Sequence, residues 1–218
     1  MSIKNIIFDL GGVLLNIDYQ ATIKAFKDLG AADFDRIYTQ AKQDHVFDNF
    51  DKGKISPEEF RNKIRRIAGL PLTTDAIDQA WNAMLLDFPW HRFDLLQGVR
   101  INYRTFLLSN TNAIHIPVFY DYLQRTYGFD NLDAFFEKIY LSHEIGMHKP
   151  DREPFDLIIK ENSLVPEETL FIDDSMQHLA GAKAAGIKAF WLDTSSTQVT
   201  DLFTWKYQLR PEAVQAAI

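Results

Sequence analysis

Five short, mostly apolar runs recur along the chain: Ile6–Phe8, Thr105–Leu108, Ile139–Leu141, Leu170–Ile172 and Ala189–Leu192. Runs this short, bounded by turn residues, suit strands buried on both faces. Segments of helical length separate the later ones. Phe155, Leu157, Ile158 and Ile159 fall at helical spacing in one, and Leu179, Ala180, Ala182, Ala184 and Ala185 in another, which Gly186 closes as a C-cap. Strands alternating with helices predict βαβ units, so the expected class is α/β, a doubly wound parallel sheet covered on both faces.

From about Ile17 to Phe93 the pattern changes. No comparable strand run occurs, and helical spacing appears over Ala21–Leu29, Phe60–Ile67 and Ala76–Leu86. Ser56-Pro57-Glu58-Glu59 has the form of a helix start, with serine as N-cap, proline at the first helical position and Glu59 completing a capping box. Asp51-Lys52-Gly53-Lys54 just before it reads as a turn. The expected organisation is a core from residues 1–16 and 94–218 with a helical insertion at 17–93. An insertion hung on two linkers beside a sheet's ligand edge would form a lid. The tail after Thr194 is weakly patterned, with a short helix after Pro211 and no assigned role. Trp81, Trp90 and the many phenylalanines are expected in the core.

A formal net charge of -7 over 218 residues argues against a nucleic-acid partner, which calls for a basic surface. The absence of cysteine excludes a disulfide framework, a thiolate metal site and a cysteine nucleophile. The first apolar run stops at Asp9, too early for a signal peptide, and no apolar stretch is long enough for a bilayer. The expectation is a cytoplasmic protein without membrane contact, monomeric or weakly homo-oligomeric.

Candidate chemistry sits at the ends of the apolar runs. Asp9 follows the first directly, with Gly11 and Gly12 behind it; Ser109-Asn110 follows the second; Asp173-Asp174 follows Leu170–Ile172; Lys149 lies a short loop beyond Ile139–Leu141. Singly, each has a simpler reading: a turn former, a helix cap, first-turn acids, a solvated lysine. Jointly they gather carboxylates at one sheet edge, where mutual repulsion raises their pKa values. A divalent cation relieves that repulsion, and hard oxygen ligands favour Mg²⁺. A serine hydroxyl, backbone N–H groups and an ammonium then form a pocket for phosphoryl oxygens, with Asp9 placed as nucleophile.

Taken together, FDLGGVL, LLSNTN, GMHKP and LFIDDS resemble, in order and spacing, the four motifs of the haloacid dehalogenase-like (HAD) hydrolases, and the resemblance covers nearly the whole chain. It implies a Rossmann-like core with a helical cap inserted between the first and second motifs. It also implies Asp9 as nucleophile; Ser109, Asn110 and Lys149 around phosphate; and Asp9, the Gly11 carbonyl and Asp174 around Mg²⁺, with Asp173 as an outer or alternate ligand. In detail, including FDKGKIS, the chain is similar to the sugar-phosphatase-like branch. The activity implied is Mg²⁺-dependent hydrolysis of a small phosphorylated metabolite through an aspartyl-phosphate.

One position departs from the pattern. Family phosphatases usually carry a second aspartate two residues after the nucleophile as general acid and base; here it is Gly11. General acid–base catalysis contributes ~10²–10⁴-fold, so substrates with easy leaving groups, such as anomeric sugar phosphates, are favoured unless another group supplies the proton. Asp44, His45 and Asp48 are candidates from the cap side, although a solvated helix face is the commoner explanation for such a cluster. Asp18 reads as an N-cap, and His143 and His148 as supporting or surface residues. The alternatives are a metal-independent 2-haloacid dehalogenase, disfavoured by the Asp173-Asp174 pair; a phosphomutase, disfavoured by Gly11; and a non-catalytic phosphate-binding module.

Overall fold

The computed structural model describes residues 2–34 and 45–218. Five parallel strands form one sheet in the order β3-β2-β1-β4-β5: β1 (Asn5–Phe8), β2 (Arg104–Ser109), β3 (Lys138–Leu141), β4 (Thr169–Asp173) and β5 (Lys188–Trp191). All five expected strands are present. β1 is central and runs in register with both neighbours, Phe8 opposite Leu107 on one side and Ile172 on the other. The chain builds outward from β1 through β2 to β3, then returns to place β4 on β1's other flank. That reversal opens a crevice at the carboxyl ends of β1 and β4, where doubly wound sheets bind ligands.

Alternation along the strands divides the core between two faces. Ile6, Phe8, Leu107, Leu170 and Ile172 pack into one cluster with α5 (Trp90–Val99) and α6 (His115–Tyr127). Ile7, Phe106, Leu108 and Phe171 pack into another with α8 (Glu153–Asn162) and α9 (Leu179–Ala184). Gly186, with φ 81°, supplies the left-handed turn expected after α9. A one-turn helix, α7 (Ser142–Ile145), follows β3 directly.

The tail does more than its weak pattern suggested. Val199, Leu202, Phe203 and Leu209 join the first cluster, Phe203 stacks on Phe8, and α10 (Pro211–Ala216) follows. Ala189 and Ile218 exchange backbone hydrogen bonds of 3.0 and 2.9 Å, which covers the β5 edge. Covering an edge removes a template for unwanted strand pairing. Trp90, expected in the core, is 54% exposed; it opens α5 at the surface and only leans on Phe93 and Tyr127.

Between β1 and β2 stand α1 (Tyr19–Asp28), α2 (Val46–Asp51), α3 (Pro57–Ala68) and α4 (Thr74–Asn82). They share an apolar cluster of their own that includes Phe26, Phe50, Phe60, Ile64 and Trp81. Asp18 caps α1 by accepting from the Gln20 N–H, and the Ser56–Glu59 capping box opens α3 as expected. Such caps contribute about 1 kcal/mol each. The chain leaves and returns along paired linkers: Asp18 N donates to Met84 O, Leu86 N to Asn16 O and Asn16 N to Asp87 O. Phe88 and Phe93 already belong to the sheet's cluster. No helix among the described residues is long and apolar enough to cross a membrane.

Candidate active site

Asp9 stands one residue beyond β1, its N–H still bonded to Ile172 O of β4 at 3.0 Å. The following loop folds tightly on itself, with Leu14 N and Leu15 N both donating to Leu10 O and Gly12 N to Leu15 O. Asp9 Oδ1 accepts from the Leu10 N–H at 2.7 Å and faces Lys149 Nζ at 2.6 Å. Lys149 is buried, and its ammonium also meets Asp173 Oδ2 at 2.8 Å. One cation therefore bridges two carboxylates from adjacent strands. Ser109 is buried at the end of β2, on the far side of β1 from Asp173.

Asn110 acts on Lys149 from behind. Its side chain donates to Lys149 O at 2.8 Å and accepts from Lys149 N at 2.9 Å. Both ends of the amide are thus committed to holding the lysine loop. Asp173 is committed in the same way. Oδ1 accepts from the Ser175 N–H at 2.7 Å, Oδ2 meets Lys149, and His178 Nδ1 lies 3.0 Å from both oxygens. Expected as an outer or alternate metal ligand, Asp173 has its lone pairs taken by cation and amide donors that lock Lys149 in place.

The charges do not balance. Burial, then the Asp173 charge, pushes the Asp9 carboxyl well above the usual range, with Lys149 only partly opposing. Burial and Asp173 likewise raise Asp174. Burial opposes charge on Asp173 too, yet Lys149 and His178 hold it below the ordinary range. Burial also works against the Lys149 ammonium, and the two carboxylates outweigh it and raise its pKa. Asp9 Oδ2 and the Asp174 carboxylate are left with no side-chain partner among the described residues.

That donor set fits a hard divalent cation. Gly12 has φ +79°, and a Cβ there would fall 2.1 Å from Asp174 Oδ2, so the loop must be glycine for Asp174 to approach it. The Gly11 carbonyl accepts no hydrogen bond among the described residues. Ligand atoms of Asp9, Asp173 and His178 lie within 4.8 Å of one another, with Asp174 beside them.

The site opens into a cavity of about 640 Å³, walled on the sheet side by Asp9, Ser109, Lys149 and Asp174 and on the helical side by Tyr19 and Asp51. A neighbouring cavity of about 400 Å³ shares Asp51 and His115 and runs beneath Phe47 and Trp81. His115 is buried, contacts Asn82 Oδ1 at 2.8 Å and stacks on Trp81; burial pushes its pKa down to about 3. His148 lines the first cavity with its pKa lowered by burial. Among the cap-side candidates, Asp48 lines both cavities, His45 is largely exposed, and Asp44 lies outside the described residues.

Asp51, Asn112, His115 and His178 escaped the sequence reading, although Asp51, Asn112 and His178 sit in or beside quoted motifs: FDKGKIS, LLSNTN and LFIDDS. The Asp51–Asn112 and His115–Asn82 pairs are distant in sequence, and the motif strings carried no sign of them; His178 bonds Asp173 only five residues back.

The family model for haloacid dehalogenase-like hydrolases matches residues 3–186. The chain belongs to the haloacid dehalogenase-like hydrolases. This hydrolase is 35% identical over 188 residues to a D-ribitol-5-phosphate phosphatase of Bacteroides thetaiotaomicron, covering 86% of this chain and 91% of the relative. It is 27% identical to a sesquiterpene phosphatase of Aspergillus oryzae, covering 91% and 94%. A HAD family enzyme of Bacteroides thetaiotaomicron, solved in complex with magnesium and inorganic phosphate, superposes with a TM-score of 0.81 at 36% identity, covering 93% of this hydrolase and all of that chain. The family and the α/β fold expected from the four motifs are therefore correct.

Proposed function

We propose that this hydrolase is a Mg²⁺-dependent phosphatase acting on a small phosphorylated metabolite, a sugar or polyol phosphate. The observation that carries the reading is the buried Lys149 ammonium shared by Asp9 and Asp173 while Asp174 stays uncompensated beside Gly12. A dehalogenase without metal would carry that surplus charge to no purpose. The relatives add weight, since one is a D-ribitol-5-phosphate phosphatase and a structural neighbour binds magnesium and inorganic phosphate.

In this reading Asp9, the Gly11 carbonyl and Asp174 hold Mg²⁺. The ion supplies charge neutralisation for phosphoryl oxygens. Ser109 and Lys149 receive the remaining oxygens, and the Lys149 ammonium favours the ionised form of Asp9 against its burial. The Asp9 carboxylate attacks phosphorus, the ester oxygen departs, and water later cleaves the aspartyl-phosphate. Helices α1–α4, over the proposed insertion at 17–93, form a cap whose residues meet the organic part of the substrate.

A panel of phosphorylated metabolites assayed with Mg²⁺ and after EDTA treatment tests this reading. Phosphate release that EDTA abolishes and Mg²⁺ restores is expected, with sugar and polyol phosphates among the better substrates. Activity indifferent to EDTA would overturn it.

A further inference from the structure

Gly11 leaves the phosphatase reading with a chemical gap. Ribitol 5-phosphate, named for the relative, is an ester of a primary alcohol, and an alkoxide leaves poorly without a proton. Backbone geometry does not force the gap. Gly11 lacks a positive φ, and a Cβ there would meet only the flexible end of Ile17, at 3.3 Å. A proton donor must come from elsewhere on the cavity wall.

We infer that Asp51, delivered by the end of α2, is the general acid and base of this hydrolase, in place of the side chain Gly11 lacks. Asp51 lines the same cavity as Asp9, Ser109 and Lys149, from the opposite wall. Asn112 Nδ2 donates to Asp51 Oδ1 at 3.1 Å, and Asn112 is itself fixed because its Oδ1 accepts from the Ile114 and His115 N–H groups at 3.1 Å. Asp51 Oδ2 has no hydrogen-bond partner among the described residues. One oxygen is held by the loop after β2 while the other stays available.

The surroundings suit proton transfer near neutrality. Burial, with help from Asp48 and against the Asn112 hydrogen bond, pushes the Asp51 carboxyl up to about 7. The Lys52 ammonium is taken by Asp151 at 2.7 Å. His115 and His148, across the cavity, are held neutral by burial and offer no compensating positive charge. The other charged or titratable groups on the cavity wall are Asp9, Tyr19, Lys149, Asp174 and His178. The helical layer is also docked firmly at this point, since a Cβ on Gly53 would fall 2.2 Å from His143 O. Asp51 thus reaches the cavity only while its helix is seated on the sheet domain's loops.

The step balances. As an Asp9 carboxylate oxygen bonds to phosphorus, the phosphorus–ester oxygen bond breaks and the leaving oxygen takes the Asp51 proton, releasing an alcohol. The Asp51 carboxylate then takes a proton from the water that attacks the aspartyl-phosphate, and the phosphorus–Asp9 bond breaks to release inorganic phosphate. This inference rests on the phosphatase reading.

The test compares leaving groups that carry no hydroxyl for Asp51 to read: n-propyl phosphate, a poor one, and p-nitrophenyl phosphate, a good one. The wild-type protein, Asp51→Asn, Gly11→Asp and the double variant are assayed with Mg²⁺, alongside melting curves. Asp51→Asn is expected to lose about 10²-fold or more in kcat on n-propyl phosphate and only a few-fold on p-nitrophenyl phosphate. The pH–rate limb near 7 should vanish with it, and Gly11→Asp in the same chain should restore n-propyl phosphate turnover. Equal losses on both esters, or no loss, would overturn the assignment while leaving the phosphatase reading intact. A wild-type protein that hydrolyses neither ester with Mg²⁺ overturns both. If Asp51→Asn fails to fold, Asn112→Ser, which releases the carboxylate from its anchor, is read by the same ratio; a loss confined to n-propyl phosphate supports the assignment, and equal losses or none overturn it.

Discussion

The two walls of the cavity are built on different principles. The sheet wall is buried and largely ion-paired: Asp9, Lys149 and Asp173 are all buried, and each of these three meets an opposite charge within 3 Å. The helical wall carries Asp48 and Asp51 with no cation directed at either from the described residues across the cavity. Strand ends position the first wall, and register leaves them almost no freedom, since β1 pairs with β2 and β4 along its whole length. A handful of contacts seats the second: Asn112–Asp51, Lys52–Asp151, the Gly53–His143 approach and the stack of Trp81 on His115. In the proposed function the first wall would handle the phosphoryl group and the second the rest of the substrate.

The sharpest way to break this contrast is at Asp9, the proposed nucleophile. Asp9→Asn should lower phosphate release by at least about 10⁴-fold, as removal of a catalytic nucleophile does, while the fold persists; steady-state rates and a melting curve report both. Substantial activity in that variant would return Asp9 to the role of a turn residue.

Lys149→Met comes next and probes the sheet wall's ion pairing. It leaves Asp9 and Asp173 buried without their shared cation, a change that costs about 3–5 kcal/mol when one partner of a buried pair is lost. A denaturant titration should show that loss. Unchanged stability would mean that the two carboxylates are neutral in the folded protein.

The adjacent glycines offer a finer contrast within one loop. Gly12→Ala should abolish Mg²⁺-dependent activity, because its Cβ collides with Asp174 and its φ of +79° strains any side chain. Gly11→Ala meets only Ile17 and should be tolerated. Measured Mg²⁺ dependence of the two variants tests whether Asp174 belongs to the metal site.

The helical wall is read by pH. Asp51 titrates near 7 when folded against 3.8 for a free carboxyl, so between those values the folded state binds more protons than the unfolded one. Stability therefore falls as pH rises from about 4 to about 7, and below that window the group has no effect. Asp51→Asn should flatten that part of the stability–pH curve relative to wild type. The smallest effect belongs to Lys52→Ala, whose partly exposed pair with Asp151 is worth about 0–1 kcal/mol. It should shift the melting temperature slightly and leave the sheet wall unchanged.

Legibility followed the same division. The five strands, the caps at Asp18 and Ser56 and the turn at Gly186 could be read locally, because each depends on residues within a few positions of itself. Asp9, Ser109, Lys149 and the Asp173-Asp174 pair could be read because a parallel sheet brings the ends of its strands to one edge whatever lies between them. Trp90 and the tail misled for the converse reason. Hydrophobicity alone cannot tell a ring lying on the surface from one inside, nor show that Phe203 stacks on Phe8 across 195 positions of chain.

By itself, then, the sequence determined an alternating α/β chain with acids, a serine and a lysine at strand ends, since periodicity and turn chemistry act over short spans. The tertiary structure decided which oxygens are free: Asp173 is consumed by Lys149 and His178, Asn110 by the lysine loop, and Asp51 is held half-engaged by Asn112. Those outcomes depend on burial and on contacts between separate segments, and the Asp51–Asn112 contact arises only when the helical layer is seated on the loop after β2.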